Sequence, residues 1–191
     1  EGRLRMDSLR GTYAGGQLQA EGDWSATMGG KAIRFRLVGA DGDRLFLPLT
    51  PAASSWVGGR VTARGTIVGI GQGMLDSIRI SGGASVDDGT TFDIPVGDAH
   101  SPFVVQLEPK SLRWSADFPA VQSSLAQGRV SGKLGFRSTS GPSDFNMESR
   151  WRMTHVDFES LLTTYVGTST IGQGDVTGEL VLEGRRIKGI R

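Results

Sequence analysis

Apolar and polar residues alternate with period two along most of this chain, and a nine-residue glycine-led unit carries that alternation four times. The unit reads Gly16-Gln17-Leu18-Gln19-Ala20-Glu21-Gly22-Asp23-Trp24, then Gly59-Arg60-Val61-Thr62-Ala63-Arg64-Gly65-Thr66-Ile67. It returns as Gly128-Arg129-Val130-Ser131-Gly132-Lys133-Leu134-Gly135-Phe136 and as Gly174-Asp175-Val176-Thr177-Gly178-Glu179-Leu180-Val181-Leu182. Side chains on a pleated strand point to opposite faces in turn, so each unit predicts a strand with one apolar and one polar, charged face.

Between these units the same signal predicts further strands. Leu4 to Leu9 leads into Gly11; Ile33, Phe35 and Leu37 alternate with Arg34 and Arg36; Asp41-Gly42 predicts a hairpin before Leu45-Phe46-Leu47. Pro48 and Pro51 predict an edge or a loop. Ile78 and Ile80 predict a strand closed by Gly82-Gly83, with a turn at Asp87-Asp88-Gly89 before Phe92-Ile94. Phe103, Val105 and Leu107 predict another before Pro109, and Leu112, Trp114 and Ala116 one that ends at Phe118-Pro119. A loop over 138–144 is a candidate sub-boundary within an otherwise single β-rich segment, and the strand pattern resumes from Asn146 to Val156.

One stretch departs from period two. Phe158, Leu161, Leu162, Tyr165 and Val166 recur at helical spacing, which predicts a short α-helix near 157–166 laid on a sheet. Asp157 can cap its first turn, and Gly167 suits its end. The expected class is therefore all-β: a glycine-rich, curved antiparallel sheet, as an open groove or an open sandwich, with one short helix.

Composition narrows the chemistry. Glycine supplies 29 of 191 residues, about twice its usual share of roughly 7%, at strand entries and turns rather than in a collagen triplet. Twenty-one basic residues against 20 acidic ones give no electrostatic case for nucleic acid. With no cysteine there is no disulfide, thiol nucleophile or cysteine-based zinc site. No apolar run approaches the roughly 18 residues that span a bilayer. The abrupt ends lead us to expect a piece of a longer protein, with any targeting or anchoring segment outside it.

Searches for a reactive constellation give turns and surfaces instead. His100 and His155 lack matched carboxylate spacing for a metal. Gly69-Ile70-Gly71-Gln72-Gly73 follows an apolar run, yet an alternating segment succeeds it where a dinucleotide fingerprint needs a helix. Asp87, Asp88, Asp93 and Asp98 miss the ligand spacing of a calcium loop. Arg185, Arg186, Lys188 and Arg191, interleaved with Ile187 and Ile190, read as the charged face of a strand. Neither an enzyme nor a cofactor is expected.

The apolar faces are the remaining candidate. Large residues (Leu18, Trp24, Val61, Ile67, Val130, Phe136, Val176, Leu180 and Leu182) flank small ones at Ala20, Gly22, Ala63, Gly65, Gly132 and Gly178. Alternation alone allows two readings: a sandwich whose second sheet fills the space over the small residues, or a trough that holds something other than protein.

Val156-Asp157-Phe158-Glu159-Ser160-Leu161-Leu162, a short gap and then Gly172-Gln173-Gly174-Asp175-Val176-Thr177-Gly178-Glu179-Leu180-Val181-Leu182-Glu183-Gly184 resembles the C-terminal region of the AsmA-like family of bacterial envelope proteins, AsmA and TamB among them. Phe158 stands where the family pattern has leucine, and Tyr13-Ala14-Gly15-Gly16-Gln17-Leu18-Gln19-Ala20-Glu21-Gly22 is similar to its recurrent aromatic, Gly-Gly, alternating strand. The tight match covers about residues 145 to 185. The resemblance implies a long curved sheet whose apolar groove passes phospholipid acyl chains toward the outer membrane. It also implies a periplasmic location, inner- and outer-membrane partners, and an inner-membrane anchor outside this chain. On that reading the nine large residues line the groove. The rival expectation is a β-sandwich interaction module that binds protein or carbohydrate.

Overall fold

A computed structural model describes residues 3–25, 32–45, 58–70, 76–91, 94–141, 144–160, 163 and 174–188. The strands are β1 (Arg3–Tyr13), β2 (Gly16–Ser25), β3 (Ile33–Asp41), β4 (Gly58–Ile70), β5 (Ser77–Thr91), β6 (Ile94–Glu108), β7 (Arg113–Leu125), β8 (Gly128–Gly141), β9 (Asp144–Asp157) and β10 (Asp175–Lys188), with a one-turn helix α1 (Gly42–Leu45) after β3. They form one ten-stranded sheet in the order of the chain, antiparallel throughout. The sheet stays open, with β1 and β10 as its edges.

The period-two pattern has a direct consequence in the register. One row of cross-strand partners runs Gly22, Ile33, Ile67, Ile80, Val105, Ala116, Phe136, Met147, Gly184 from β2 to β10. At about 4.8 Å between strands it covers on the order of 40 Å. The adjoining row on the other face reads Glu21, Arg34, Thr66, Ser81, Val104, Asp117, Gly135, Glu148, Glu183. A slip by one residue in any ladder would exchange the two faces, so burial of the apolar row fixes the register.

Every ladder except β2–β3 carries a register shift. Such bulges add twist and bend the strand that carries them, which curves the sheet. Gly39, Asp88 and His155 take positive φ inside β3, β5 and β9 at these shifts. Pro119 lies in the shift of β7, where a missing N–H costs no ladder bond.

Several boundaries differ from the sequence expectation. Gly82-Gly83 does not close a strand: β5 runs on to Thr91, and Asp87-Asp88-Gly89 is a bulge within it. β7 begins at Arg113, after Leu112, and passes through Pro119 to Leu125. Asp41-Gly42 opens α1 rather than a tight hairpin; the Asp41 carboxylate accepts the Asp43 N–H at 3.2 Å, a local bond that favours a helical turn. The expected Leu45–Leu47 strand is helical at Leu45, and its remainder, with Pro48 and Pro51, lies outside the described residues. At the candidate sub-boundary β8 and β9 pair up to Gly141 and Asp144, so the sheet continues across it.

After β9, Phe158, Glu159, Ser160 and Thr163 are helical. The Asp157 carboxylate accepts the Glu159 and Ser160 N–H groups, both at 3.2 Å, which is the expected cap. Leu161, Leu162, Tyr165 and Val166 lie outside the described residues.

Candidate functional site

All nine expected lining residues occupy register positions on one face. Leu18 stands opposite Leu37, Val61 between Ala40 and Val86, and Ile67 between Ile33 and Ile80. Val130 lies between Ser123 and Met153, and Phe136 between Ala116 and Met147. Val176 pairs with Val156, Leu180 with Trp151, and Leu182 with Ser149. Trp24 pairs with Leu4 in the register, and its side chain lies outside the described residues.

Their surroundings differ. Val61 is buried with Leu37 and Ala40 in a small core; Leu18, Ile67, Val130, Phe136 and Val176 are half-buried; Leu180 and Leu182 are exposed. The strands between the template units contribute apolar side chains to this face as well. Phe103, Phe145, Val156 and Leu37 are buried, and Trp114 and Phe136 each pack on Phe145 with ring centroids 5.9 Å apart. Sequence reasoning drew its lining from the glycine-led units alone. The alternations at Ile33/Phe35/Leu37 and Phe103/Val105/Leu107 were the signal that would have added Leu37 and Phe103.

The small residues turn out to serve three purposes. Gly65 and Gly82 are paired across β4 and β5, and a Cβ on Gly65 would lie close to the Ser81 carbonyl oxygen and within 3.1 Å of the Gly82 Cα, so these glycines permit a close backbone approach. Over Gly132 lies the Trp151 ring: a Cβ there would come within 2.7 Å of Trp151 Cε3. Above Gly178 no atom of the described residues lies within 4 Å of a Cβ position, so among them that space is open.

Among the described residues, extensive contacts run only between neighbouring strands, from α1 to β3 and β4, and to a small extent between β1 and β3. No described element packs as a second layer on the apolar face. Ser149 is buried in that face between Leu134 and Leu182, and its hydroxyl has no hydrogen-bond partner among the described residues.

The opposite face is wet and charged. Arg34 pairs with Glu21 at 3.5 Å, Lys133 with Glu148 at 3.2 Å and Arg152 with Glu179 at 2.8 Å. The Arg152 guanidinium holds the Glu179 carboxyl below its ordinary pKa. Two open depressions of about 300 and 310 Å³ on this face are lined by several of these charged side chains. Both are open and rimmed by charged side chains, unlike the enclosed, mostly apolar cleft of a small-molecule site.

His155 Nδ1 lies 3.4 Å from Asp175 Oδ2, His100 is exposed at a separate position on β6, and no group of three potential metal ligands occurs among the described residues. No described helix is long and apolar enough to cross a membrane. Protein-family models, curated proteins and solved structures give no match to this chain. The case for function therefore stands on the sheet itself.

Proposed function

We propose that this chain is a lipid-binding, lipid-conducting β-groove segment of a cell-envelope protein that works in phospholipid transport and outer-membrane biogenesis. One observation carries the reading: an apolar face continuous across the sheet, with no described second layer upon it. A continuous row of aliphatic and aromatic side chains suits an acyl chain, which gains roughly 0.8 kcal/mol for each methylene taken out of water and needs no polar recognition. Movement along such a face breaks and remakes equivalent contacts, so the chain slides without crossing a large barrier. The resemblance of residues 145 to 185 to AsmA-like proteins points the same way, and with it to a periplasmic setting between two membranes. The rival reading, a sandwich module for protein or carbohydrate, needs a second sheet over this face.

The test is extraction of the purified protein with organic solvent and mass spectrometry of the extract. Co-purified phospholipid, and uptake of a fluorescent phospholipid that falls several-fold in Phe136→Glu, are the expected results. Protein that carries no lipid and takes up none would sink the conduit and favour the sandwich.

A further inference from the structure

Two like-charge pairs stand directly across neighbouring strands on the polar face, and their surroundings differ. Lys133 on β8 faces Arg150 on β9, and Arg36 on β3 faces Arg64 on β4. Side chains so placed have Cβ atoms about 5 Å apart, and like charges there repel. The first pair has acids around it. Lys133 meets Glu148 at 3.2 Å, and the Glu179 carboxyl, held below its ordinary pKa chiefly by Arg152, is drawn down by the Arg150 charge as well.

The second pair has no such compensation. Its row runs Arg10, Gln19, Arg36, Arg64 from β1 to β4, and all four side chains are exposed. Glu21, the acid of the adjoining row, is taken by Arg34 at 3.5 Å. Asp7 and Asp23, towards the same edge, each have a partner. Among the described residues Arg10, Arg36 and Arg64 form no ion pair. The patch thus sets Arg10, Arg34, Arg36 and Arg64 against Glu21, with Asp7 at its margin.

This excess of cations calls for anions from outside the chain. A planar guanidinium fork matches phosphate oxygens. Arg10 stands two strands from Arg36, about 10 Å away at the backbone, so the row has places for more than one phosphate. The surface here is an open depression of about 300 Å³ lined by Arg10, Arg34 and Arg36, which suits a broad partner better than an enclosed small molecule. We infer that the polar face of β1 to β4 is a docking surface for the headgroups of an anionic membrane, engaged through Arg36 and Arg64 with Arg10. The other side of β3 and β4 is the packed core of Leu37, Ala40 and Val61. Attachment there leaves the exposed apolar side chains of β10, six strands beyond β4 and on the order of 30 Å away, free of the bilayer.

The experiment is flotation of the full chain with vesicles of phosphatidylcholine, alone or with phosphatidylglycerol added, at low salt. The chain is expected to float with the mixed vesicles, to stay behind with phosphatidylcholine, and to come off as salt screens the charges. Each arginine near an anionic surface contributes roughly fivefold, so Arg36→Gln/Arg64→Gln lowers affinity by roughly twentyfold. Lys133→Gln/Arg150→Gln makes the same change in net charge more than a Debye length of about 10 Å away and lowers it by less than about twofold. Circular dichroism of both variants matches the unaltered chain, and so does uptake of fluorescent phospholipid, which reads the opposite face. Equal flotation on the two kinds of vesicle, or equal loss in the two variants, overturns the docking surface. Release by inorganic phosphate at matched ionic strength also overturns it, and marks a site for the free anion. Flotation without phospholipid uptake keeps the docking surface and removes the groove.

Discussion

The β3–β4 region and the β9–β10 region are built from the same kind of strand and end in opposite states. Leu37 is 4% exposed and Val61 6%, whereas Leu180 is 41% and Leu182 43% exposed, although all four sit on the apolar face. Interior strands cover each other's side chains from both sides, and α1 packs beside β3 and β4, tied down by the Tyr13 hydroxyl donating to the Leu45 carbonyl at 2.8 Å. β10 is an edge with a neighbour on one side only. Alternation therefore decides which face a side chain occupies, and position in the sheet decides whether that face is core or exposed surface.

The largest break in this comparison comes from truncating one leucine in each region. Leu37→Ala should cost about 2–5 kcal/mol, since it opens a cavity in a packed site. Leu180→Ala should cost less than about 1 kcal/mol, because much of the side chain is already in water. Urea unfolding of the two variants gives the difference. Equal losses would mean that the β10 face is covered in solution.

The glycines sharpen the contrast at a smaller scale. Gly65→Ala puts a methyl group against the Ser81 carbonyl and should destabilise by about 1–3 kcal/mol, the range for overpacking. Gly178→Ala enters open space and should be neutral or stabilising by at most about 1 kcal/mol, because alanine has less backbone freedom to lose. Gly178→Leu, in the same thermal melts, asks whether the open patch accepts a large side chain. If it does so without loss of stability but lowers phospholipid uptake, the space belongs to ligand.

Much of this architecture was legible in the chain. Period-two alternation gives the strands, their faces and the common face of the nine expected lining residues, because burial of one face leaves no other register. What was not legible follows from local backbone chemistry. Ala126 and Gln127 both take positive φ in the two-residue turn between β7 and β8, a conformation that composition assigns to glycine or asparagine. Asp87-Asp88-Gly89 has the composition of a turn, but a bulge calls for the same residues. The different roles of Gly65, Gly132 and Gly178 depend on cross-strand partners, which no single strand contains.

The smallest effects separate the two regions by pH. Burial raises the Tyr13 phenol above its ordinary pKa, so the neutral donor to Leu45 is the favoured folded form. Its contribution is present below the unfolded tyrosine value of about 10 and is lost as pH rises through the higher folded value. Tyr13→Phe removes it at every pH, at a cost of at most about 1 kcal/mol. Asp157 behaves in the opposite sense. Hydrogen bonds from the Ser160 hydroxyl, and then from the Ser160 and Glu159 N–H groups, hold its carboxyl below its ordinary pKa. Its cap is fully present above the unfolded aspartate value of about 3.9 and is lost as pH falls through the lower folded value. Acid should therefore release amide-exchange protection at Glu159 and Ser160 while leaving Leu37 and Val61 protected, and alkali should first loosen the Tyr13–Leu45 tie. Asp157→Asn keeps an acceptor for the N–H groups and should flatten the acid response without abolishing the cap. Simultaneous loss of protection at both regions in acid would show that they unfold as one unit, and the division between a packed end and an open end would then be only one of exposure.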